Sequence, residues 1–320
     1  MSTPHPPKHP LGQLLLDQGV VFGFIALLIF LSFVAPHFLS RNNFFSILTD
    51  AAPLVLLTLS ELVVMLVAGI DLAVGALAGL TGALAATMML AAGLPWPLAL
   101  LFALLAATLG GLLQGVIINY LHITDFIATL AGLSIFSSLT LIVTQGEPMN
   151  INASGFNAIG ESHLLGVPDQ VWIAGIMVIL VALWLGLTAS GTHFYAIGGN
   201  RVAAYRAGIR VRILRSLAYA FSGFSAGLAG IIFAAQLATA DPNAGRGDEL
   251  PAIAAAVIGG VYLFGGRGTV WGALIGALLL STILDGLILL NISPFYTELV
   301  EGVVILLAVM LGYLKKSGTV

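Results

Sequence analysis

The side chains best suited to bind a charged partner in this 320-residue chain lie in one arginine-rich segment, residues 190–215. It holds five of the eleven basic residues, namely Arg201, Arg206, Arg210, Arg212 and Arg215. Guanidinium groups bind carboxylates and phosphates through paired hydrogen bonds, so this arginine segment can contact acidic protein groups or phospholipid headgroups. Its positive charge also orients the surrounding chain in a membrane.

A short helix is predicted inside the arginine segment. Asn200 is a good N-cap, residues 201–207 favour a helix, and Gly208 suits the left-handed conformation that follows a last helical turn. Small side chains at Ala203 and Ala204 would let a partner approach closely. An orientation signal that contacts anionic lipid is the simpler alternative, but it needs neither a cap nor a stop. The pattern therefore favours a docking element.

Charged side chains within apolar stretches are candidates for function, because charge is costly inside a membrane. Glu61 lies in the middle of one stretch, where it either faces a substrate pathway or pairs with a neighbouring helix. Asp71 lies at a turn, where an N-cap explains it as well as substrate contact does, and we interpret it as a structural hinge. Asp285 and Arg267 lie near the ends of another stretch, where solvation explains them.

Patterns that resemble enzyme sites do not predict catalysis here. Residues 223–227 match G-x-S-x-G, but they lie in an apolar helical stretch rather than in a strand-to-helix turn. The six histidines are dispersed and cysteine is absent, so no metal site or thiolate nucleophile is predicted. No G-x-x-x-x-G-K-[ST] motif is present to bind nucleotide phosphates. We therefore predict no catalytic residues and no cofactor on this chain.

The composition is that of an integral membrane protein. Hydrophobic residues make up 59% of the chain, charged residues only 8%, and the mean hydropathy is +1.07. Residues 72–124 contain no Asp, Glu, Lys or Arg, which is far longer than the roughly 20 residues of one crossing. The apolar runs are too long and uniform for barrel strands, so the predicted fold is all-α and polytopic. Because basic residues do not cluster elsewhere, nucleic acid is not an expected partner.

Ten apolar stretches predict ten membrane-spanning helices. They cover residues 20–36, 52–70, 72–92, 95–119, 126–144, 171–189, 216–239, 250–264, 269–290 and 297–314. The stretch 250–264 is short for a full crossing and is either re-entrant or broken. The predicted organisation is a tail at 1–19, a membrane domain at 20–314 that contains the 190–215 loop, and a tail at 315–320.

The distribution of charge predicts the sidedness of this bundle. An even number of spans places both termini on the side of the arginine segment, which the positive-inside rule makes the cytoplasm. Residues 145–170 carry acidic residues and no Lys or Arg, as expected of an external loop. Spans two to five and seven to ten are separated by an odd number of crossings, so any similarity between them would be an inverted repeat.

Small residues four apart predict close helix packing within the bundle. Helices in lipid gain little from apolar side chains alone, so small residues that let backbones approach are favoured at their contacts. The predicted pairs are Gly75 with Gly79, Gly111 with Gly115, Gly223 with Gly227, and Gly272 with Gly276.

Four motifs in order resemble the permeases of bacterial ABC importers for ribose, xylose or arabinose. They are GIDLAVG at 69–75, FIATL at 126–130, the YAIGGN-x-x-AA-x-x-AGI pattern at 195–209, and the AIAAAVIGG and GGRGT runs at 252–260 and 265–269. The resemblance covers roughly residues 20–314. It implies a location in the bacterial inner membrane, with multiple membrane crossings.

The resemblance implies roles for particular residues. The ATPase-coupling residues would be Tyr195, Gly198, Gly199, Asn200, Arg201, Ala203, Ala204, Gly208 and Ile209. The signature residues, interpreted as structural hinges, would be Gly69, Asp71, Gly75, Gly259, Gly260, Gly265, Gly266 and Gly268. The candidates for the substrate pathway are Glu61, Phe126 and Thr129.

The same resemblance implies partners. A separate ATP-binding ABC subunit would hold ATP and magnesium, an extracytoplasmic sugar-binding protein would deliver the substrate, and a second permease copy or a paralogue would complete the pathway. We therefore predict a non-enzymatic permease subunit of an ATP-driven importer for a monosaccharide or related polyol, working by alternating access. The alternatives are an ABC permease for branched-chain amino acids and a stand-alone, ion-coupled secondary transporter.

Overall fold

The computed structural model describes residues 19–293 together with residues 296, 299, 300, 302, 303 and 306. The predicted tails, apart from Gly19, and most of the predicted span 297–314 lie outside the described residues. In chain order the elements are α1 (Gly19–Val34), α2 (Arg41–Leu66), α3 (Val74–Leu90), α4 (Trp96–Leu121), α5 (Asp125–Thr144), β1 (Met149–Asn150), α6 (Ser154–Glu161), β2 (His163–Leu164), β3 (Val167–Pro168), α7 (Asp169–Leu187), α8 (Ala189–Gly199), α9 (Arg201–Arg206), α10 (Val211–Gln236), β4 (Thr239–Ala240), α11 (Glu249–Ile258) and α12 (Val270–Leu289).

Six of these helices are long and apolar enough to cross a membrane, namely α2, α4, α5, α7, α10 and α12. Three shorter apolar helices, α1, α3 and α11, accompany them in the described part of the chain. The all-α membrane architecture is thus confirmed. The total of ten spans and the side of the termini stay predictions.

Helix α2 begins at Arg41, eleven residues before the predicted start at residue 52, because Pro53 does not interrupt it. Ser40 caps its first turn by accepting a hydrogen bond from the Asn43 amide at 3.2 Å. Pro53 lies inside the helix and has no N–H for the carbonyl of Thr49, four residues earlier. The side-chain amide of Gln236 donates to that carbonyl at 3.1 Å instead. A contact distant in sequence therefore lets the helix continue.

The core is built around α10, which packs against α2, α3 and α4. Gly111 and Gly223 lie against each other's helices so closely that a Cβ on either would overlap a backbone carbonyl of the other helix. Gly272 and Gly276 meet α11 in the same way. These predicted small-residue contacts are confirmed, and they explain how long helices with few polar groups associate.

Gly75 and Gly79 differ from these pairs, because their closest backbone contacts are to a loop and not to a helix. They face the backbone of Ala244 and Gly245, in the non-helical segment 241–248. That segment follows β4, which pairs with β1, and it reaches back along the bundle to the beginning of α3. These two glycines therefore allow the backbone of a loop, and not that of a helix, to lie close to α3.

The two halves of the bundle correspond at a constant shift of 170 residues. Helices α2 and α10 are both 26 residues long and begin at residues 41 and 211. Each ends before an alanine with positive φ, Ala68 at 55° and Ala238 at 48°. Next in each half comes an aspartate that accepts a hydrogen bond from the amide two residues later, Asp71 at 3.1 Å and Asp241 at 2.7 Å.

The same shift relates Gly75 to Gly245, and these two glycines touch. A Cβ on either residue would overlap the carbonyl oxygen of the other. Helix α2 ends where α10 begins, at the end of the bundle that carries the arginine segment, so the two halves run in opposite directions. These correspondences are those of an inverted repeat, which the predicted spans allowed, with the paired glycines between its halves.

Helix α11 is too short to cross a membrane. It contains ten residues, about 15 Å, and it lies between the segment 241–248 and a glycine-rich link at 259–269. The predicted span 250–264 is thus a short helix followed by a non-helical link, which agrees with both predicted forms, re-entrant and broken. Helix α3 is also preceded by a non-helical link, residues 67–73, so both halves contain a discontinuous helix.

Candidate functional site

The arginine segment forms two short helices at one end of the bundle, which we call the arginine end. Asn200 caps α9 by accepting a hydrogen bond from the Ala203 amide at 3.0 Å. Gly208 follows with φ +83°. The predicted cap, helix and stop are confirmed. A second helix, α8, precedes α9. Its N-cap is Thr188, whose hydroxyl accepts a hydrogen bond from the Gly191 amide.

Helix α8 connects the arginine segment to the end of α2 and to the link that follows α11. The Tyr195 hydroxyl donates to the Gly268 carbonyl at 3.0 Å. Gly198 lies against the carbonyl of Leu66 and against Gly266, where a Cβ would overlap both. The Gly266 amide donates to the same Leu66 carbonyl at 3.1 Å. We call this contact of Gly198, Leu66 and Gly266 the glycine junction.

Helix α9 exposes apolar side chains that the sequence interpretation did not select. Val202 is 61% exposed and Tyr205 is 73% exposed, whereas Ala204 is only 4% exposed and faces the chain's own core. The small size of Ala204 therefore allows α9 to pack on the bundle and does not admit a partner. The spacing of Val202 and Tyr205, three residues apart on one helix face, was the available signal.

Arg215 is the one arginine of the segment that is buried. It forms a salt bridge with Asp125 at 2.6 Å and donates to the Asn119 side chain at 2.6 Å and to the Val67 carbonyl at 3.3 Å. These contacts join α10, α4, the beginning of α5 and the 67–73 link at the arginine end. Sequence interpretation treated Arg215 as part of the orientation signal and missed this role.

The 67–73 link is held to α10 by side-chain hydrogen bonds. The Tyr219 hydroxyl donates to the Ile70 carbonyl at 3.2 Å, and the Ser222 hydroxyl donates to the Asp71 carboxylate at 2.7 Å. The N-cap of α3 is Ala73, not Asp71. Asp71 instead braces the turn before the helix, since its other oxygen accepts from the Ala73 amide.

The signature glycines fall at three places. Gly69 lies in the 67–73 link against the Tyr219 hydroxyl, and Gly75 lies at the contact with Gly245. The remaining five belong to the link after α11 or to its glycine junction, and they are Gly259, Gly260, Gly265, Gly266 and Gly268. Their hinge role stays a prediction.

The three pathway candidates differ in their surroundings. Glu61 is fully buried on α2, and neither carboxyl oxygen has a hydrogen-bond partner, so the expected pairing with a neighbouring helix is not found. Phe126 is 56% exposed, while Thr129 is buried and donates to the Asp125 carbonyl at 2.9 Å. Their assignment to a substrate path stays a prediction.

Asp285 differs from the solvated residue that the sequence suggested. It is 9% exposed, and its carboxylate accepts a hydrogen bond from the Asn43 side chain at 3.0 Å. Asn43 lies in the first turn of α2, which the sequence prediction placed outside the span. Within the described ranges, no three His, Asp or Glu side chains are placed to share a metal ion.

A groove of about 910 Å³ opens at the arginine end. Its walls are α9, the beginning of α10 and the turn between α4 and α5. Arg201, Arg210 and Arg212 line it together with Tyr205 and Tyr120. At the opposite end of the bundle, a smaller recess of about 500 Å³ lies between the end of α3, Trp96 and residues 151–155.

The fold and this site define the class as a multi-pass helical membrane protein with an arginine-lined groove at one end. A family of sequences described as branched-chain amino acid transport system / permease component matches residues 43–309. The chain belongs to this permease family.

Curated relatives match almost the whole chain. The ribose import permease protein RbsC of Escherichia coli K12 is 39% identical over 309 residues, which cover 94% of this chain and 95% of that protein. RbsC of Haemophilus influenzae is 38% identical over 304 residues, 94% of each chain. The autoinducer 2 import system permease protein LsrC of Yersinia enterocolitica is 34% identical over 290 residues, 91% of this chain and 80% of that protein. No solved structure matches the chain. The predicted resemblance to sugar ABC permeases is confirmed.

Proposed function

We propose that this chain is the membrane-spanning subunit of an ATP-driven, binding-protein-dependent importer for a monosaccharide or related polyol. The relatives named for ribose and autoinducer 2 import support this substrate class. They do not favour the branched-chain amino acid alternative, although the family description mentions it. The arginine segment faces the cytoplasm of a bacterial cell by the positive-inside rule, and the membrane is the inner membrane.

The observation that carries this proposal is the glycine junction. Helix α9 presents exposed Val202 and Tyr205, while α8 lies against Leu66, where α2 ends and the 67–73 link begins. A partner that binds α9 therefore acts on the link of one repeat and, through Gly266, on the link that follows α11 in the other. A separate ATPase subunit, which holds ATP and magnesium, is the partner that such a docking surface fits.

Alternating access would use the two discontinuous helices. Their links are joined to α8 at the arginine end, and the repeats meet at Gly75 and Gly245 in the interior of the bundle. ATP binding shifts the population of two arrangements only if the ATPase binds them with different affinities. The extracytoplasmic binding protein would engage the opposite end, and a second permease copy or paralogue would complete the path.

Reconstitution tests the proposal. The permease is placed in liposomes with the ATPase and the binding protein that co-purify with it, and uptake of radiolabelled pentoses and hexoses is measured with ATP inside. We expect uptake that needs all three components, with leucine as the control substrate. Sugar uptake by the permease alone under an ion gradient would refute the proposal in favour of a secondary transporter.

A further inference from the structure

The groove at the arginine end contains more positive charge than its own chain neutralises. Among the described residues, Asp125 is the acidic group in its lining, and Asp125 is already paired with Arg215. Arg201, Arg210 and Arg212 form no salt bridge with described residues. The open groove therefore offers three guanidinium groups to a ligand from outside the chain.

Arg212 is held beside this groove, and Arg201 lines it. Arg212 lies 5.8 Å from the ring centre of Tyr120 and 3.5 Å from Nε2 of His122, so its guanidinium is fixed beside the α4–α5 turn. Partial burial, followed by the nearby charge of Arg215, lowers the pKa of Arg201. An anion in the groove would relieve this repulsion.

The groove is also continuous with an apolar outer surface. On α4, Leu113 is 59% exposed and Tyr120 46% exposed; on α10, Ile213 and Leu217 are 44% and 46% exposed. These side chains lead from the arginines along two membrane-crossing helices. A ligand that fits both parts has an anionic head and long apolar chains.

We propose that this groove is a binding site for an anionic phospholipid of the cytoplasmic leaflet. Arg210, Arg212 and Arg201 bind the phosphate, and the acyl chains lie along the exposed faces of α4 and α10. Basic pockets between membrane helices on the cytoplasmic side are suited to such headgroups. Because α9 forms one wall, a bound lipid would brace the docking helix against the α4–α5 turn. The proposal needs only the membrane location of the chain, not its substrate.

Native mass spectrometry of the purified permease, without its ATPase, tests the site. Phosphatidylglycerol and phosphatidylcholine are titrated against wild-type protein, an Arg210→Gln/Arg212→Gln variant and an Arg206→Gln/Arg267→Gln control. The control removes the same charge from arginines outside the groove lining. We expect phosphatidylglycerol affinity to fall roughly 30-fold in the groove variant and less than threefold in the control.

Wild-type protein supplies a second measurement should the groove variant fail to fold: phosphatidylglycerol must bind at least tenfold more tightly than phosphatidylcholine. Equal affinity for the two lipids, or an equal loss in both variants, would overturn the proposal. A groove variant that binds phosphatidylglycerol normally but no longer holds the ATPase would assign the groove to an acidic segment of that subunit and would also overturn it. This last result leaves the proposed import function intact.

Discussion

The glycine junction provides a direct test of how the arginine segment is connected to the bundle, because two adjacent glycines differ in their surroundings. A Cβ on Gly198 would overlap the Leu66 carbonyl oxygen and would lie 2.9 Å from the carbonyl carbon of Gly265. A Cβ on Gly199 would meet nothing within 4 Å. Both residues lie in α8 and neither has a positive φ, so alanine at each gains a similar amount of helix propensity.

The difference between Gly198→Ala and Gly199→Ala therefore isolates the junction. Inserting a methyl group into a close-packed contact costs about 1–3 kcal/mol. Separating the two backbones also weakens the hydrogen bond from Gly266 to Leu66, which contributes about 0.5–1.5 kcal/mol. Added together, these terms predict that Gly198→Ala is about 1.5–4.5 kcal/mol less stable than Gly199→Ala.

Two measurements check this prediction. Unfolding of the purified variants in mixed micelles, titrated with sodium dodecyl sulfate, compares their free energies of unfolding. Sugar uptake and ATP hydrolysis by the reconstituted transporter then show whether hydrolysis continues without transport in Gly198→Ala, as expected if the junction couples α9 to the helix links. Equal stability and equal uptake in the two variants would refute the reasoning, since the close contact would then be absent.

Further substitutions test the bundle interior. Gly111→Ala should lower the free energy of unfolding by about 1–3 kcal/mol, because its methyl group overlaps the backbone of α10. Gly175→Ala, in an open helical position, should raise the free energy of unfolding by up to about 1 kcal/mol. Effects of the same sign and size in the two variants would contradict this packing. Arg215→Met should lower the free energy of unfolding by about 3–5 kcal/mol, because it leaves buried acceptors unpaired, and by much less when Asp125 is replaced by leucine. Additive losses in this double-mutant cycle would show that Arg215 and Asp125 are not coupled. Glu61→Leu should raise the free energy of unfolding by about 1–3 kcal/mol, since both carboxyl oxygens are buried without a hydrogen-bond partner. A decrease in the same unfolding assay would reveal a partner that holds the carboxyl group.

Local signals in the sequence were sufficient for the elements that depend on neighbouring residues. The cap at Asn200 and the stop at Gly208 belong to the chemistry of one helix, so α9 could be predicted residue by residue. The same holds for the contact of Gly111 with α10, because small residues one turn apart favour close packing in any membrane helix.

Contacts between distant residues explain where the prediction fell short. The apolar stretch suggested a span that begins at residue 52, but Gln236 satisfies the carbonyl that Pro53 leaves free, so α2 begins at Arg41. Gly75 suggested a helix contact, yet it meets Gly245 in a loop from the other half of the chain. No local pattern contains these partners.

The sequence by itself determined that this chain is a helical membrane protein, where the short helix after Asn200 lies in the chain, and which permease family it resembles. Hydropathy, charge and short motifs are local properties, so they can be determined from the sequence without knowledge of the packing. Only the tertiary structure decided that Arg215 is a buried partner of Asp125 while Arg210 and Arg212 line an open groove. The physical reason is that these arginines have the same chemistry, and only their distances to residues about 90 positions away distinguish them.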